Sequence, residues 1–476
     1  MKKLKRNIRR LCFFLIILLL LLILYGAFNL LTSGNRWFSS SSNTLIKEQK
    51  KTVIPGNILD RNGIILAAAN ENGERVYSTD ESVRRAVVHV LGDDKGNVNN
   101  GVESFMARYL YGFDMSFLER ADYILKGNKR KGDNVTLTID SSLSKQVLSW
   151  FPAGKSGAVV VMNYQTGETV CEMSFPDFDP EDKQEIVLSD PLKPYWNRAV
   201  QMQKAPGSTF KVITAAAALR NMVGLDLKKY NCDGLLQVGG HLVTDAGTDL
   251  SAEKITAHGS VTLRDAFLKS CNNTFARVAL EMGDTALRKM AESFGFNDNF
   301  LFRDIVVENS VYPMSDRTDF EVAWTGAGQS ALMTTPMHMC MVAACVANEG
   351  VMMEPRLLIR AVGQTGKIRM EGEDRVYRRV MTREEANTLR DYMWGVITSG
   401  TGSAASVPGH RICGKTGSSE QEGQQETDAW FIGFIDEEAC PYALCVTVEN
   451  AGGGGSVAAP VAKRIFTYLL ESGASN

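Results

Sequence analysis

The longest run of apolar positions comes first in the chain. Leu11 to Phe28, LCFFLIILLLLLILYGAF, holds 18 uncharged positions behind MKKLKRNIRR, which carries six cationic side chains. As a helix this run spans ~27 Å, close to the ~30 Å of bilayer hydrocarbon. It exceeds the ~7–15 residues of a signal-peptide core, and no small-x-small cleavage site follows. A retained transmembrane anchor over 11–31 is therefore expected. The Lys/Arg excess before it places the basic tail, 1–10, in the cytoplasm and everything from about Thr32 onward outside.

Beyond Thr32 a polar stalk, SGNRWFSSSSNTLIKEQKK, leads into VIPGNILDRNGIILAAA, two short strands joined at the Arg61-Asn62-Gly63 turn. Residues 80–131 mix helical patches with Gly and Asn turns. DNVTLTIDSSLSKQVLSWF then passes from an alternating strand into an amphipathic helix. A boundary is expected near Gly154, leaving stalk and pedestal in 32–153 and a second domain in 154–476. There GAVVVMNYQTGETVCEMS reads as a hairpin. A long helical region is expected over 208–297 and another helix over 335–348. After Ile412 come three strand patterns, ICGKTGSSE, AWFIGFI and YALCVTVEN. A closing helix near 458–470 buries Val461, Ile465, Phe466 and Leu469. Strands at both ends of a domain with helices between them predict one sheet closed by its distant ends.

A length of 476 residues exceeds one ordinary core. The formal net charge of −2 gives no reason to expect nucleic acid as a partner. Nine cysteines in an exported protein invite a disulfide framework. They form no C-x-x-C pair and no Cys/His cluster of metal-binding spacing, and Cys340 and Cys345 fall in an apolar helical run. Unpaired thiols are expected, with no metal and no cofactor.

KAPGSTFKVITAAAALRN, Lys204 to Asn221, puts a hydroxyl and an amine one turn apart at the mouth of an apolar helix. The plain reading is a serine N-cap and a solvated lysine. S-x-x-K alone is a poor signal, since Ser142/Lys145 and Ser251/Lys254 match it as well as Ser208/Lys211. S-x-N is no better, matching Ser33/Asn35 and Ser41/Asn43 besides Ser270/Asn272. Lys415-Thr416-Gly417 occurs once, and order and context favour the set Ser208, Lys211, Ser270, Asn272 and Lys415. A serine nucleophile needs an adjacent base. Lys211 shares a helix face with Ser208. It takes a proton only if burial and a nearby positive charge keep part of it neutral. Lys415 is expected to supply that charge, Ser270 to relay a proton, and Asn272 to orient amine and substrate. The Ser208 amide and a strand amide near Ser418 would form the oxyanion site.

Two rival motifs fail on context. GHRICGKT, 409–416, fits the phosphate-loop pattern, but no apolar strand precedes it and no helical pattern follows. A Ser-His-Asp reading lacks the G-x-S-x-G elbow, and none of His89, His241, His258, His338 or His410 lies in a motif.

The ordered set S-x-x-K, S-x-N and K-T-G resembles that of the class B penicillin-binding proteins, the membrane-anchored peptidoglycan D,D-transpeptidases. Further matching blocks are GNILDRNGIILA, Gly101-Val102-Glu103, NRAVQMQKAPGSTFK, HGSVTLRDAFLKSCNNTF, GAGQSALMTTPMHM and GKTGSSE with DAWFIGF. The resemblance implies a mixed α/β fold of the serine β-lactamase/transpeptidase kind, a mainly antiparallel sheet flanked by helices. A dimerisation-like pedestal and one transmembrane helix would precede it. Ser208 would be the nucleophile, Lys211 the base, Ser270 and Asn272 the relay. Lys415 and Thr416, with Gly417 and Ser418 beside them, would bind the substrate carboxylate. Implied partners are peptidoglycan stem peptides, β-lactam antibiotics, a multi-span glycosyltransferase and other cell-wall machinery. Ser418 stands in place of the usual Thr, and Pro55-Gly56-Asn57 in place of the usual Arg-Gly. Gln329-Ser330 stands where Gln-Gly is common and Asn163 where Asp is common, neither expected to touch the chemistry. The alternative is a β-lactamase or β-lactam sensor of the same fold. Against it, no class A Glu-x-x-Leu-Asn element is present and no motif is lost.

Overall fold

The computed structural model describes residues 2–38, 48, 52–93, 96–98, 101–182, 190–225, 227–314, 317–420 and 425–473. Most of the expected stalk, and the Ser41/Asn43 pair, lie outside those residues. One helix runs from Lys2 to Phe38. Its segment Lys3–Gly26 has mean hydropathy 2.6 and none of its apolar window buried, so it is long and apolar enough to cross a membrane.

The turn after Ile58–Leu59 forms as its sequence requires. Asp60 accepts hydrogen bonds from the amides of Asn62 and Ile64, both at 2.8 Å, and Gly63 takes φ +82°. The next strand, Ile65–Ala69, pairs antiparallel with Ile58–Leu59. Together with Arg75–Tyr77 and Asn134–Leu137 they belong to a six-stranded sheet. Its remaining strands, Leu358–Val362 and Ile368–Glu371, come from far beyond Gly154. A buried ion pair, Arg75 Nε to Glu103 Oε1 at 2.5 Å, ties the Gly101-Val102-Glu103 segment to this sheet.

The second sheet is fully antiparallel, in the order Ile412–Ser419, Asp428–Ile435, Tyr442–Val448, Gly157–Asn163, Thr169–Phe175. The distant ends of the domain pair directly, Val446 opposite Val159. Alternate residues serve two cores, as the two-residue period of a strand dictates. Val160, Met162, Ile432 and Cys445 face one core, which holds the helix Pro336–Ala347. Val159, Val161, Phe431 and Val446 face the other, closed by the helix Ala458–Gly473 through Val461, Ile465, Phe466 and Leu469. Every residue of Pro336–Ala347 is buried, which explains an apolar pattern without a polar face.

The expected continuous helical region over 208–297 is interrupted. Helix Lys211–Asn221 is followed by strands Tyr230–Cys232, Leu235–Val238, His241–Thr244 and Gly259–Val261 before helices resume at Leu263. Gly234, Gly239, Gly240, Gly247 and Gly259 all have positive φ, and such turns cannot continue a helix. The helix Arg383–Ser399 was not anticipated, although its capping box, Thr382 with Glu385, is legible in the sequence.

Ile465 is fully buried under the sheet. Ile465→Ala is expected to destabilise the protein by about 2–5 kcal/mol. Denaturant unfolding of the full chain in detergent measures this, and a loss below about 1 kcal/mol would mean that the closing helix does not pack as described.

Candidate active site

Ser208 lies in a short 3-10 turn, Gly207–Phe210, that runs directly into the helix Lys211–Asn221. No side chain caps either segment, so the Ser208 hydroxyl is not spent on helix amides. It stands 3.0 Å from Lys211 Nζ. Lys211 is fully buried, and its amine also reaches the Ser270 carbonyl at 2.7 Å, Asn272 Oδ1 at 2.6 Å and Ser270 Oγ at 3.3 Å. The carbonyl and the amide oxygen can only accept, so two N–H bonds are directed to them. The remaining valence of the nitrogen faces the hydroxyls, and in the neutral amine this includes the lone pair.

Ser270 ends the helix Leu263–Lys269 in the left-handed conformation, φ 58° and ψ 36°. That region is sparsely used by residues other than glycine and marks local strain. The bend brings Ser270 and Asn272 to the amine and starts the helix Asn272–Met282. Buried Asp245 holds that helix start, one carboxylate oxygen accepting from the amides of Asn272 and Asn273. Asn272 Nδ2 donates to the Thr244 carbonyl at 2.8 Å, which fixes the amide oxygen toward Lys211.

Lys415 enters from the strand Ile412–Ser419, and its amine reaches Ser270 Oγ at 2.9 Å and the Thr416 carbonyl at 3.1 Å. The Ser270 hydroxyl therefore joins two buried amines. Burial lowers Lys211 to about 8. Burial, and next the charge of Lys211, push Lys415 well below its ordinary value. Lys415 was expected to be the fixed cation, but the desolvation penalty falls on it at least as heavily. A second positive charge is disfavoured in this pair.

The strand and the Ser208 turn are in backbone contact. A Cβ on Gly207 would lie 2.5 Å from the Ser418 carbonyl, and one on Gly328 would lie 1.8 Å from the Gly207 carbonyl. Thr416 Oγ1 and Thr401 Oγ1 are 2.6 Å apart, and the Gly454 amide donates to Ser418 Oγ at 3.3 Å. Gln329 Nε2 donates to the Ser418 carbonyl at 3.2 Å, so the Gln of the Gln329-Ser330 pair reaches the K-T-G strand. Lys204 binds Asp428 at 2.8 Å and Glu449 at 2.9 Å, which clamps the approach to Ser208 onto the sheet.

The other S-x-x-K pairs lie on the surface. Lys145 pairs with Asp80, and Ser251 donates to Asp249. The lysine of the phosphate-loop pattern lies inside a strand laddered from Ile412 to Ser419, not at a helix start. All nine cysteines are free. No sequence spacing marks a Cys/His cluster, but the fold gathers Cys232, Asp245, His258 and Cys271 with ligand atoms within 4.8 Å of one another. Thr401, Gln329, Gly454 and Asp245 were missed as site residues. Of these only Gly454, in the run AGGGGS, carried a local signal of close backbone approach.

An antiparallel sheet carrying K-T-G at its edge, packed against a helix that begins S-x-x-K, is the arrangement of the serine-dependent penicillin-recognising proteins. The chain belongs to the penicillin-binding protein transpeptidase family, whose domain model matches residues 157–467. It is 28% identical over 407 residues to the peptidoglycan D,D-transpeptidase PbpA of Mycobacterium tuberculosis, covering 76% of this chain and 81% of that protein. It is 29% identical over 435 residues to stage V sporulation protein D of Bacillus subtilis, covering 83% of this chain and 65% of that one. The imipenem acyl-enzyme complex of M. tuberculosis penicillin-binding protein A superposes with a TM-score of 0.77 at 26% identity, over 88% of this chain and 100% of that one.

A Cβ on Gly454 would lie 2.1 Å from the Trp430 carbonyl and 2.3 Å from the Gly417 carbonyl, both backbone atoms that cannot swing aside. Gly454→Ala is expected to lower the melting temperature and slow penicillin labelling, whereas Ser456→Ala, at an exposed neighbour, changes neither. Labelling and melting unchanged in Gly454→Ala would rule out the close packing behind the K-T-G strand.

Proposed function

We propose that this protein is a membrane-anchored peptidoglycan D,D-transpeptidase that acts through an acyl-enzyme on Ser208. One observation carries the reading: a fully buried lysine amine lies within 3.0 Å of the serine hydroxyl, its other acceptors fixed by Ser270 and Asn272. Burial depresses both amines, and the charge of Lys211 adds to the effect on Lys415, so this reading starts from one shared proton on Lys211. A substrate carboxylate arriving beside Thr416 and Ser418 favours charge on Lys415. A proton then passes from Lys211 to the Ser270 hydroxyl while another leaves it for Lys415, and Lys211 becomes a base.

Neutral Lys211 takes the Ser208 proton as Ser208 Oγ bonds to the penultimate D-Ala carbonyl carbon. The amides of Ser208 and of the strand near Ser418 receive the oxyanion. The peptide C–N bond breaks and the proton goes to the departing D-Ala amine. An amine of a neighbouring stem peptide then attacks the ester, the cross-link forms and Ser208 regains its proton. Among the described residues no carboxylate side chain hydrogen-bonds to Ser208, Lys211, Ser270 or Lys415, which favours a long-lived β-lactam ester over hydrolysis.

The division of the chain is proposed as a basic tail (1–10), an anchor (11–31), stalk and pedestal (32–153) and transpeptidase domain (154–476), the last lending two strands to the pedestal sheet. The tail would face the cytoplasm, and a multi-span glycosyltransferase would be the membrane partner. Copurification with tagged candidates tests that pairing.

Penicillin is expected to add one drug mass on the peptide carrying Ser208. Ser208→Ala abolishes the adduct, Ser142→Ala and Ser251→Ala leave it, and Lys211→Ala slows its formation by ~10²–10⁴-fold. Rapid repeated turnover of the drug would identify a β-lactamase instead.

The pH profile follows from the amine pair. Lys211 is a base only when neutral, so acylation should accelerate as pH rises through about 8. A β-lactam with its carboxylate esterified should react more slowly and with its midpoint at higher pH than the free acid. Superimposable profiles for acid and ester would exclude substrate-driven proton transfer to Lys415.

A further inference from the structure

The helix Phe117–Leu125, in the segment proposed as pedestal, is turned inside out. Phe117, Leu118, Ile124 and Leu125 are each more than three-quarters exposed. At about 100° per residue they share with Ala121 one arc of about 120°, the width of a stripe that ordinarily faces a core. The polar side faces the protein instead. Glu119 closes a capping box with Ser116 and pairs with Arg369, and Arg120 Nη2 donates to the Phe113 carbonyl at 2.9 Å. Those bonds fix the rotation of the helix about its axis. Among the described residues nothing buries the apolar arc. A contiguous exposed patch of this kind marks a surface that meets another apolar phase.

Charge and place say what that phase is. The carboxylates of the helix are both paired, Glu119 with Arg369 and Asp122 with Lys126. Lys129, Arg130 and Lys131 follow directly, so the surplus charge at its end is positive. Arg130–Lys131 then pairs in parallel with Val53–Ile54, and Arg130 Nη2 donates to Thr52 Oγ1 at 3.3 Å. Val53–Ile54 is the first strand after the apolar helix, which ends at Phe38. Residues 39–52 lie between them, and fully extended they reach at most ~50 Å. The exposed helix therefore stands beside the point where the chain arrives from the anchor. A covalent tether of that length holds its apolar arc near lipid at high effective concentration.

We propose that the helix Phe117–Leu125 lies in the interface of an anionic phospholipid bilayer, as a second membrane contact besides the anchor. Phe117, Leu118, Ile124 and Leu125 would enter the acyl boundary, and the cations after Leu125 would meet the headgroup phosphates. The contact gives the exterior part of the chain a fixed face toward the membrane, which a single helix and a polar stalk do not. The Glu119–Arg369 pair carries it onward, because Arg369 belongs to the strand Ile368–Glu371 of the six-stranded sheet. The proposal rests on the anchor reading and not on the acyl-transfer chemistry, so labelling of Ser208 does not enter its test.

The test uses the full chain in lipid nanodiscs of phosphatidylglycerol or phosphatidylcholine. Every cysteine but Cys12 is buried, so Cys12→Ser with Leu125→Cys offers one reactive thiol for an environment-sensitive fluorophore. In phosphatidylglycerol its emission should shift to the blue, and lipids carrying a nitroxide near the headgroup should quench it. The same fluorophore on Ser456→Cys, exposed in the later domain, should show neither. Lys129→Glu should weaken the contact by about fivefold or more, as should phosphatidylcholine. Leu118→Ser with Ile124→Ser should abolish quenching and leave the melting temperature in detergent unchanged. A fall of several degrees would mean that this face packs within the chain, which overturns the proposal. Absence of lipid quenching at Leu125→Cys in chains that have entered the disc overturns it too. So does shielding of the fluorophore that needs a second copy or another membrane protein, which would assign the face to a protein interface.

Discussion

Everything about this molecule depends on keeping two amines out of water within reach of one serine hydroxyl. Lys211 and Lys415 are both fully buried, and Ser270 Oγ touches both. Burying even one ammonium costs several kcal/mol unless charge or hydrogen bonds compensate. The chain accepts this penalty at one point, and the chemistry follows from it. A lysine in water is protonated and useless as a base, whereas one held near pKa 8 beside a second depressed amine can release its proton when an anion arrives.

Such an arrangement needs rigid support on every side. The five-stranded antiparallel sheet supplies Lys415, and its two cores lock the strand positions from both faces. The Ser208 turn is pressed against the Ser418 backbone at Gly207, where no side chain would fit. The Lys204–Asp428–Glu449 pairs hold the approach to that turn on the sheet. The third support, behind Ser270 and Asn272, is different in kind. It is a set of short glycine-turned strands with little apolar core of its own, and there Asp245 and the two cysteines meet.

The segment proposed as pedestal is not independent of the transpeptidase domain. Strands Leu358–Val362 and Ile368–Glu371 complete its sheet, so the two parts of the chain share backbone hydrogen bonds. Ion pairs cross the junction as well, Arg61 with Glu168 at 3.4 Å and Arg369 with Glu119. A displacement of the pedestal would therefore be carried into the later domain through the backbone as well as through side chains.

The sequence alone determined the elements with strong local periods: the apolar helix, the hairpin at Gly157–Phe175, the three C-terminal strands and the closing helix. It also carried the order of the motifs, because S-x-x-K, S-x-N and K-T-G are each short and local. Tertiary structure decided the rest. The protonation balance of Lys211 and Lys415 depends on burial by residues far away in the chain. Gln329, Thr401 and Gly454 reach the site through contacts between distant segments that no local pattern records. The helical reading of 208–297 failed because scattered glycines reversed the chain between periodic stretches. Cys232, Asp245, His258 and Cys271 show the limit most clearly: no spacing links them in the sequence, and only the folded turns bring their side chains together.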